Sequence, residues 1–218
     1  MKWIIYAAAS LLLASCKGNA PTSESNPEIQ TYISHCQSAE KSPVTETTLF
    51  AGFRLGMTEE EVDSIAKALF DAGKMSFFFD RRDGFSTIHD REEVSLANGW
   101  EYEMPTTTGI YYINFIPRYY KGQLSQLFCT VKSQNGDLTS REITRTMITL
   151  FESSDRAPAF KKYILRDSLD VSFIKDNLEI SFYPQPELPE ATIHYINLPT
   201  QKEENRMRDS IDNPSRVF

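Results

Sequence analysis

The chain is short of the side chains that perform most enzyme chemistry: among 218 residues there are three histidines, three cysteines and two tryptophans. No G-x-S-x-G, H-E-x-x-H, P-loop or C-x-x-C pattern occurs. His35, His89 and His194 are scattered, and with so few cysteines they offer no metal-ligand spacing. The acidic stretches lack the D-x-[DN]-x-[DN]-G spacing of a calcium loop. Neither a metal nor another cofactor is expected. The S-x-x-K matches Ser38 to Lys41 and Ser64 to Lys67 come without the S-D-N and K-T-G companions of penicillin-binding enzymes. Ser64 also falls inside a helical pattern, so no catalytic residue is assigned. His89 and Asp90 are neighbours in the charged stretch 81–93, which reads as a solvated loop. Positive charge is scarce too, with 23 Lys and Arg against 30 Asp and Glu and a net charge of −7. That balance argues against nucleic acid, whose phosphates are met by clustered Lys and Arg.

The first charge-free hydrophobic run, Trp3 to Ala14, is too short to span a bilayer, which takes about 20 apolar residues in a helix. Behind Lys2 it has the length of a secretory signal peptide core, which assigns residues 1–15 to a leader. The run closes on Leu13-Ala14-Ser15-Cys16, which resembles the bacterial lipobox. The resemblance implies a diacylglyceryl group on the Cys16 thiol, cleavage before Cys16 and a third acyl chain on the freed amine. Several chains, at about 0.8 kcal/mol per buried methylene, hold a protein stably at a membrane. The expected location is the cell envelope. Lys17, where an inner-membrane retention rule wants Asp, favours the outer membrane. With Cys16 acylated, Cys36 and Cys129 remain; they either form a disulfide in this oxidising compartment or stay as two thiols, Cys129 buried as a small hydrophobe.

Residues 16–48 read as a lipid-anchored tether carrying one short helix. Residues 17–26 are polar and flexible. Pro27 then starts a helix with Ile29, Tyr32, Ile33 and Cys36 on one stripe. The body opens with a strand over 49–55 and a helix announced by Thr58 and Glu61, the two ends of a capping box. Its stripe is Val62, Ile65, Ala66, Leu69 and Phe70, with Gly73 at the stop. The same pattern returns 81 residues later: Thr139 and Glu142 repeat the box, and Ile143, Met147, Leu150 and Phe151 repeat the stripe. Strand-like segments follow each helix, at 75–79, 93–104, 109–117 and 123–133, and then at 163–166, 169–184 and 191–198. Asp176-Asn177 and Lys121-Gly122 mark hairpins. The expectation is an α+β fold: an antiparallel sheet with helices on one face, built from two tandem helix-plus-strands units, 49–134 and 135–199. Residues 200–218 are charged, lack an apolar stripe and read as a frayed tail.

Aromatics are the candidate binding groups. Trp100 and Tyr102 alternate and share one face of a strand, while Tyr119 and Tyr120 belong to a Pro117-Arg118-Tyr119-Tyr120 corner. Such rings stack on sugars or seat another protein, or else they fill the core. Arg54-Leu55-Gly56-Met57-Thr58 with Val62 resembles the G-M-T-x-x-x-V signature of small envelope lipoproteins, the SmpA/OmlA type and the β-lactamase-inhibitor-like folds. The Leu-Gly-x-Pro step that follows the helix in those proteins is replaced here by Phe70-Asp71-Ala72-Gly73. The resemblance implies helices on an antiparallel sheet and a non-catalytic protein-binding or assembly role. A glycan- or small-ligand-binding lipoprotein is the alternative.

Overall fold

A computed structural model of the protein describes residues 27–79, 94–96 and 99–212. The leader, Cys16, the tether up to Asn26, the His89-Asp90 stretch and residues 213–218 lie outside them. Helix α1 (Pro27–Ala39) comes first, then α2 (Glu59–Asp71) and five strands: β1 (Met75–Phe79), β2 (Val94–Leu96), β3 (Gly99–Thr106), β4 (Gly109–Tyr120) and β5 (Gln123–Ser133). Helix α3 (Ser140–Glu152) leads into β6 (Lys161–Ile164), β7 (Val171–Lys175), β8 (Leu178–Pro184) and β9 (Ala191–Asn197), and α4 (Leu198–Asp212) closes the order.

Both capping boxes form. The Thr58 hydroxyl accepts from the Glu61 amide at 3.3 Å and the Glu61 carboxylate accepts from the Thr58 amide at 2.8 Å. Thr139 and Glu142 repeat the pair at 3.3 and 2.8 Å. Each box satisfies amides that the first helical turn leaves free. Both hairpins form as well. Lys121 and Gly122 carry φ of 51° and 74°, the left-handed pair a two-residue turn requires. Asp176 takes φ 52° between the paired residues Lys175 and Leu178. Residues 49–55 are not a strand. Ala51 and Gly52 turn the chain back at φ 51° and 93°, so that Thr48 bridges Arg54. The turn drives Phe53 fully into the core and sets Phe50 against Phe115 and Tyr195 at 5.6 and 6.0 Å. Two side chains fasten it: the Arg156 guanidinium donates to the carbonyls of Thr48 and Leu49, and buried Asn177 accepts from the Thr45 and Glu46 amides.

All strand pairs are antiparallel, and the sheet runs β1-β3-β4-β5-β9-β8-β7-β6, with β2 beside β4 in line with β3. Among the described residues Ile116 and Pro117 have no pairing on the β2 and β3 side of β4, and proline has no N–H to give a ladder. Each half repeats one order, a helix followed by an antiparallel meander, and the last strands of the halves, β5 and β9, pair from Gln126↔Ile196 to Val131↔Ala191. The α+β class therefore holds, with one continuous sheet spanning both units.

The helices divide between the two faces, where one face was expected. On the first, α2 and α3 pack Val62, Ala66, Ile143 and Met147 over Phe115, Leu127, Cys129, Ile180 and Phe182. On the second, α1 and α4 close a smaller core of Ala39, Tyr163, Ile174, Ile196 and Leu198. The expected tail is helical from Leu198 to Asp212. Its Glu204, 4 % exposed, is paired with Arg118 at 3.0 Å and accepts from Ser125 and Gln126 at 3.0 and 3.3 Å. Ser125 reaches it because a bulge between Arg118 and Tyr119 makes it the extra residue of β5.

Breaking this carboxylate anchor by Glu204→Ala should lower unfolding free energy by about 2–4 kcal/mol, the cost of stranding a half-covered guanidinium, and speed amide exchange in α4 first. Thr58→Ala and Thr139→Ala should each cost about 1 kcal/mol in denaturant titrations, and the double variant about their sum, since each box is local to its own helix.

Candidate functional site

The second face concentrates the polar side chains. Alternation along paired strands places Tyr163, Ser172, Ser181, His194, Phe128 and Ile116 in one row across it. The neighbouring row is Ile174, Glu179, Ile196, Gln126 and Arg118. Two buried carboxylates thus lie in one row, Glu179 from β8 and Glu204 reaching in from α4. Glu179 Oε1 accepts from the hydroxyls of Tyr32, Ser172 and Ser181 at 2.7, 2.7 and 2.8 Å. Three donors satisfy one buried carboxylate oxygen and tie α1 to the sheet. A second tie joins His35 Nδ1 to the Tyr163 hydroxyl at 2.6 Å. A third runs from the Ile164 amide to Glu28 at 2.9 Å, which occupies a ladder position on the edge strand β6. Lys202 and Glu40, 2.8 Å apart, clip α4 to the end of α1.

This environment sets the titration of its members. Burial first, and the Glu179 charge second, push the Cys36 thiol up to about 12 and the Tyr32 phenol above its ordinary range. His194 lies against Phe128, ring centroids 5.6 Å apart, with its Nε2 at 3.1 Å from Gln126 Oε1. Burial, and then Arg118, push its pKa down to about 4. Ser172, Ser181 and Glu179 meet as a closed hydrogen-bonded set beneath α1, which gives a structural clamp.

Cys36 and Cys129 do not pair. Both are free thiols, and they point to opposite faces: Cys129 into the first core, Cys36 against the second. The four aromatics proposed as a surface do not form one either. Trp100 and Tyr102 share a face, as expected, but it is the first face, where both pack on the core and Tyr102 meets Phe50 edge-on at 6.0 Å. Tyr119 and Tyr120 are buried, Tyr119 to 1 % exposure. Their corner is continuous strand, flanked by β2 on one side and β5 on the other. Tyr111 is buried and Tyr112 half-exposed.

Exposed apolar side chains occur elsewhere. The stripes of the two capped helices diverge at their ends: α3 sinks Phe151 among Phe160, Phe173 and Phe182 and leaves Leu150 38 % exposed, whereas α2 packs Leu69 and leaves Phe70 51 % exposed. Leu150 lines a shallow, mostly apolar cavity of about 520 Å³ with Met104, Pro105, Thr106 and Thr107 of the β3–β4 hairpin. The sequence pattern placed both Leu150 and Phe151 in the buried stripe; Phe151 does pack over β7 and β8, against Phe173 and Phe182, while Leu150 is left at the edge of the helix.

Among the described residues no helix is long and apolar enough to cross a membrane. No family model matches the chain, and no curated protein or solved structure matches it.

Because the unfolded chain takes up a proton on His194 at its ordinary value of 6.5 and the folded chain only near 4, the unfolded state binds more protons between these values. Stability should therefore fall as pH drops from about 6.5 to about 4, and His194→Gln should flatten that part of a melting-temperature profile. The thiols supply a second check: reduction should leave the intact mass unchanged at Cys36 and Cys129, and alkylation of the native fold should spare Cys129.

Proposed function

We propose that the protein is a lipid-anchored envelope protein, held by acyl chains on Cys16 and serving a non-catalytic, protein-binding or assembly role. Residues 1–16 support the anchor through their resemblance to a leader and lipobox. The observation that carries the binding role is the apolar shelf of Leu150, Met104 and Pro105. Leu150 is 38 % exposed on the outer flank of a well-capped helix and lines one cavity with Met104 and Pro105, which supports reception of an apolar side chain from another protein. A shallow shelf of this kind fits side chains of a partner better than a small ligand, which is bound in a deeper cleft. The partner is an envelope protein presenting an apolar side chain to the first face near the β3–β4 hairpin. The body stands at the membrane by its acyl chains alone, because a net charge of −7 gives no attraction to anionic lipid.

Metabolic acyl labelling should mark the wild type and miss Cys16→Ala; equal labelling of both would remove the anchor. A photo-crosslinker at Thr107 should join an identified envelope protein in a product that Leu150→Asp reduces at least about fivefold at unchanged melting temperature, a loss of roughly 1 kcal/mol.

A further inference from the structure

The connection between β5 and α3 carries the one exposed asparagine among the described residues, Asn135, and a glycine follows it. The β4–β5 ladder ends in a bond from the Gln134 amide to the Ile110 carbonyl at 3.0 Å, and the chain then turns. The turn is closed by a bond from the Gly136 amide to the Ser133 carbonyl, which at 3.3 Å is longer than a well-formed amide bond. Gly136 takes φ 66°, a conformation open to glycine without strain, and a Cβ built there would meet no atom within 4 Å. The Gly136 nitrogen is thus loosely held and unshielded beside the side chain of its own neighbour. Asn135 also borders a cavity of about 200 Å³ with Thr108 and Ser133, which gives its side chain room to turn. The other described asparagines are held differently. Asn114 lies in a strand paired on both sides, and buried Asn177 accepts from the Thr45 and Glu46 amides and donates to the Glu46 carbonyl. Asn197 is buried ahead of Leu198, and half-covered Asn205 lies within α4.

We propose that Asn135-Gly136 is a site of spontaneous deamidation, a modification the native chain carries out on itself with water as the only co-reactant. The Gly136 nitrogen attacks Asn135 Cγ. A C–N bond forms, the bond from Cγ to the side-chain nitrogen breaks, and ammonia leaves with the proton from Gly136. The resulting five-membered succinimide takes up one water at either carbonyl. Opening at Cγ gives aspartate. Opening at the main-chain carbonyl gives isoaspartate, in which the chain runs on through Cβ and Cγ. Amide and water become acid and ammonia, with nothing oxidised or reduced. Either product adds a negative charge close to Asp137 in an already acidic chain. Isoaspartate also inserts a methylene into the connection that joins the two halves of the sheet, just ahead of the Thr139 cap of α3. The site is remote from Cys16 in sequence and its chemistry makes no use of the Leu150 shelf, so it stands whether or not a partner is received there.

The test incubates the full mature chain at mildly alkaline pH, native and unfolded in urea, and follows each asparagine peptide by mass spectrometry. An isoaspartyl methyltransferase serves as the probe for isoaspartate. Reading peptide by peptide matters because Asn98, which also precedes a glycine, lies outside the described residues. Asn135 should convert in the native chain at a rate within about tenfold of the unfolded chain, while Asn114, Asn177 and Asn197 stay intact until the fold is lost. Asn135→Gln, which would have to close a six-membered ring, should abolish the product at this peptide. Gly136→Ala, whose Cβ meets no atom, should slow it at least about tenfold. Should Gly136→Ala lose its cooperative melt, Gly136→Asn, which tolerates the left-handed backbone, takes its place with the same expected slowing. A native rate lower than the unfolded rate by more than about tenfold, or conversion that is indifferent to the residue at 136, would overturn the proposal.

Discussion

The pairing of β5 with β9 is the contact on which the rest of the molecule depends. Each half of the chain makes one antiparallel meander, and its last strand would be an open edge if the halves stood apart. Joining the two edges makes one sheet with one first-face core, in which α2 and α3 share a floor that neither meander provides alone. The seam also explains the position of residues 49–57. Phe50 and Phe53 sit over Phe115 and Tyr195, where the halves meet, and Gly56 and Met57 exchange backbone hydrogen bonds with Leu124 at the start of β5. The segment ahead of the first helix thus closes the centre, not the periphery.

The two faces of the sheet solve different problems. The first is an apolar interior of large aromatic and aliphatic side chains. The second is held by fewer apolar groups and by two carboxylates, each satisfied by several donors. A polar belt of this kind adds modest net stability, but it fixes position, because a carboxylate with three donors has one geometry that satisfies it. It holds α1 and α4 in place over the second face.

What could be read in the sequence was local. Capping boxes, two-residue hairpins and alternating strands each arise within a few residues, so Thr58, Thr139, Lys121-Gly122 and Asp176-Asn177 declare themselves. Layering did not declare itself. The signal for a second covered face was present in β7 and β9, where Ile174 and Ile196 add apolar side chains on the face opposite Phe173 and Tyr195, as strands buried on both sides do. It was muted by Ser172, Glu179 and His194 in the same rows. Tyr119 and Tyr120 misled for another reason: a proline in the middle of a strand reads as a corner, yet Pro117 stays in β4, paired with Leu127 of β5.

Helix α1 enters the fold at Pro27, at the free edge of β6, and its first tie is the Glu28–Ile164 contact. A mechanical load on the chain ahead of Pro27 therefore meets the ties in sequence: Glu28 first, Tyr32 on Glu179 next, then His35 on Tyr163 and the Glu40–Lys202 clip. These contacts follow one another along the chain, so α1 can leave the sheet one side-chain tie at a time without breaking a backbone ladder between strands.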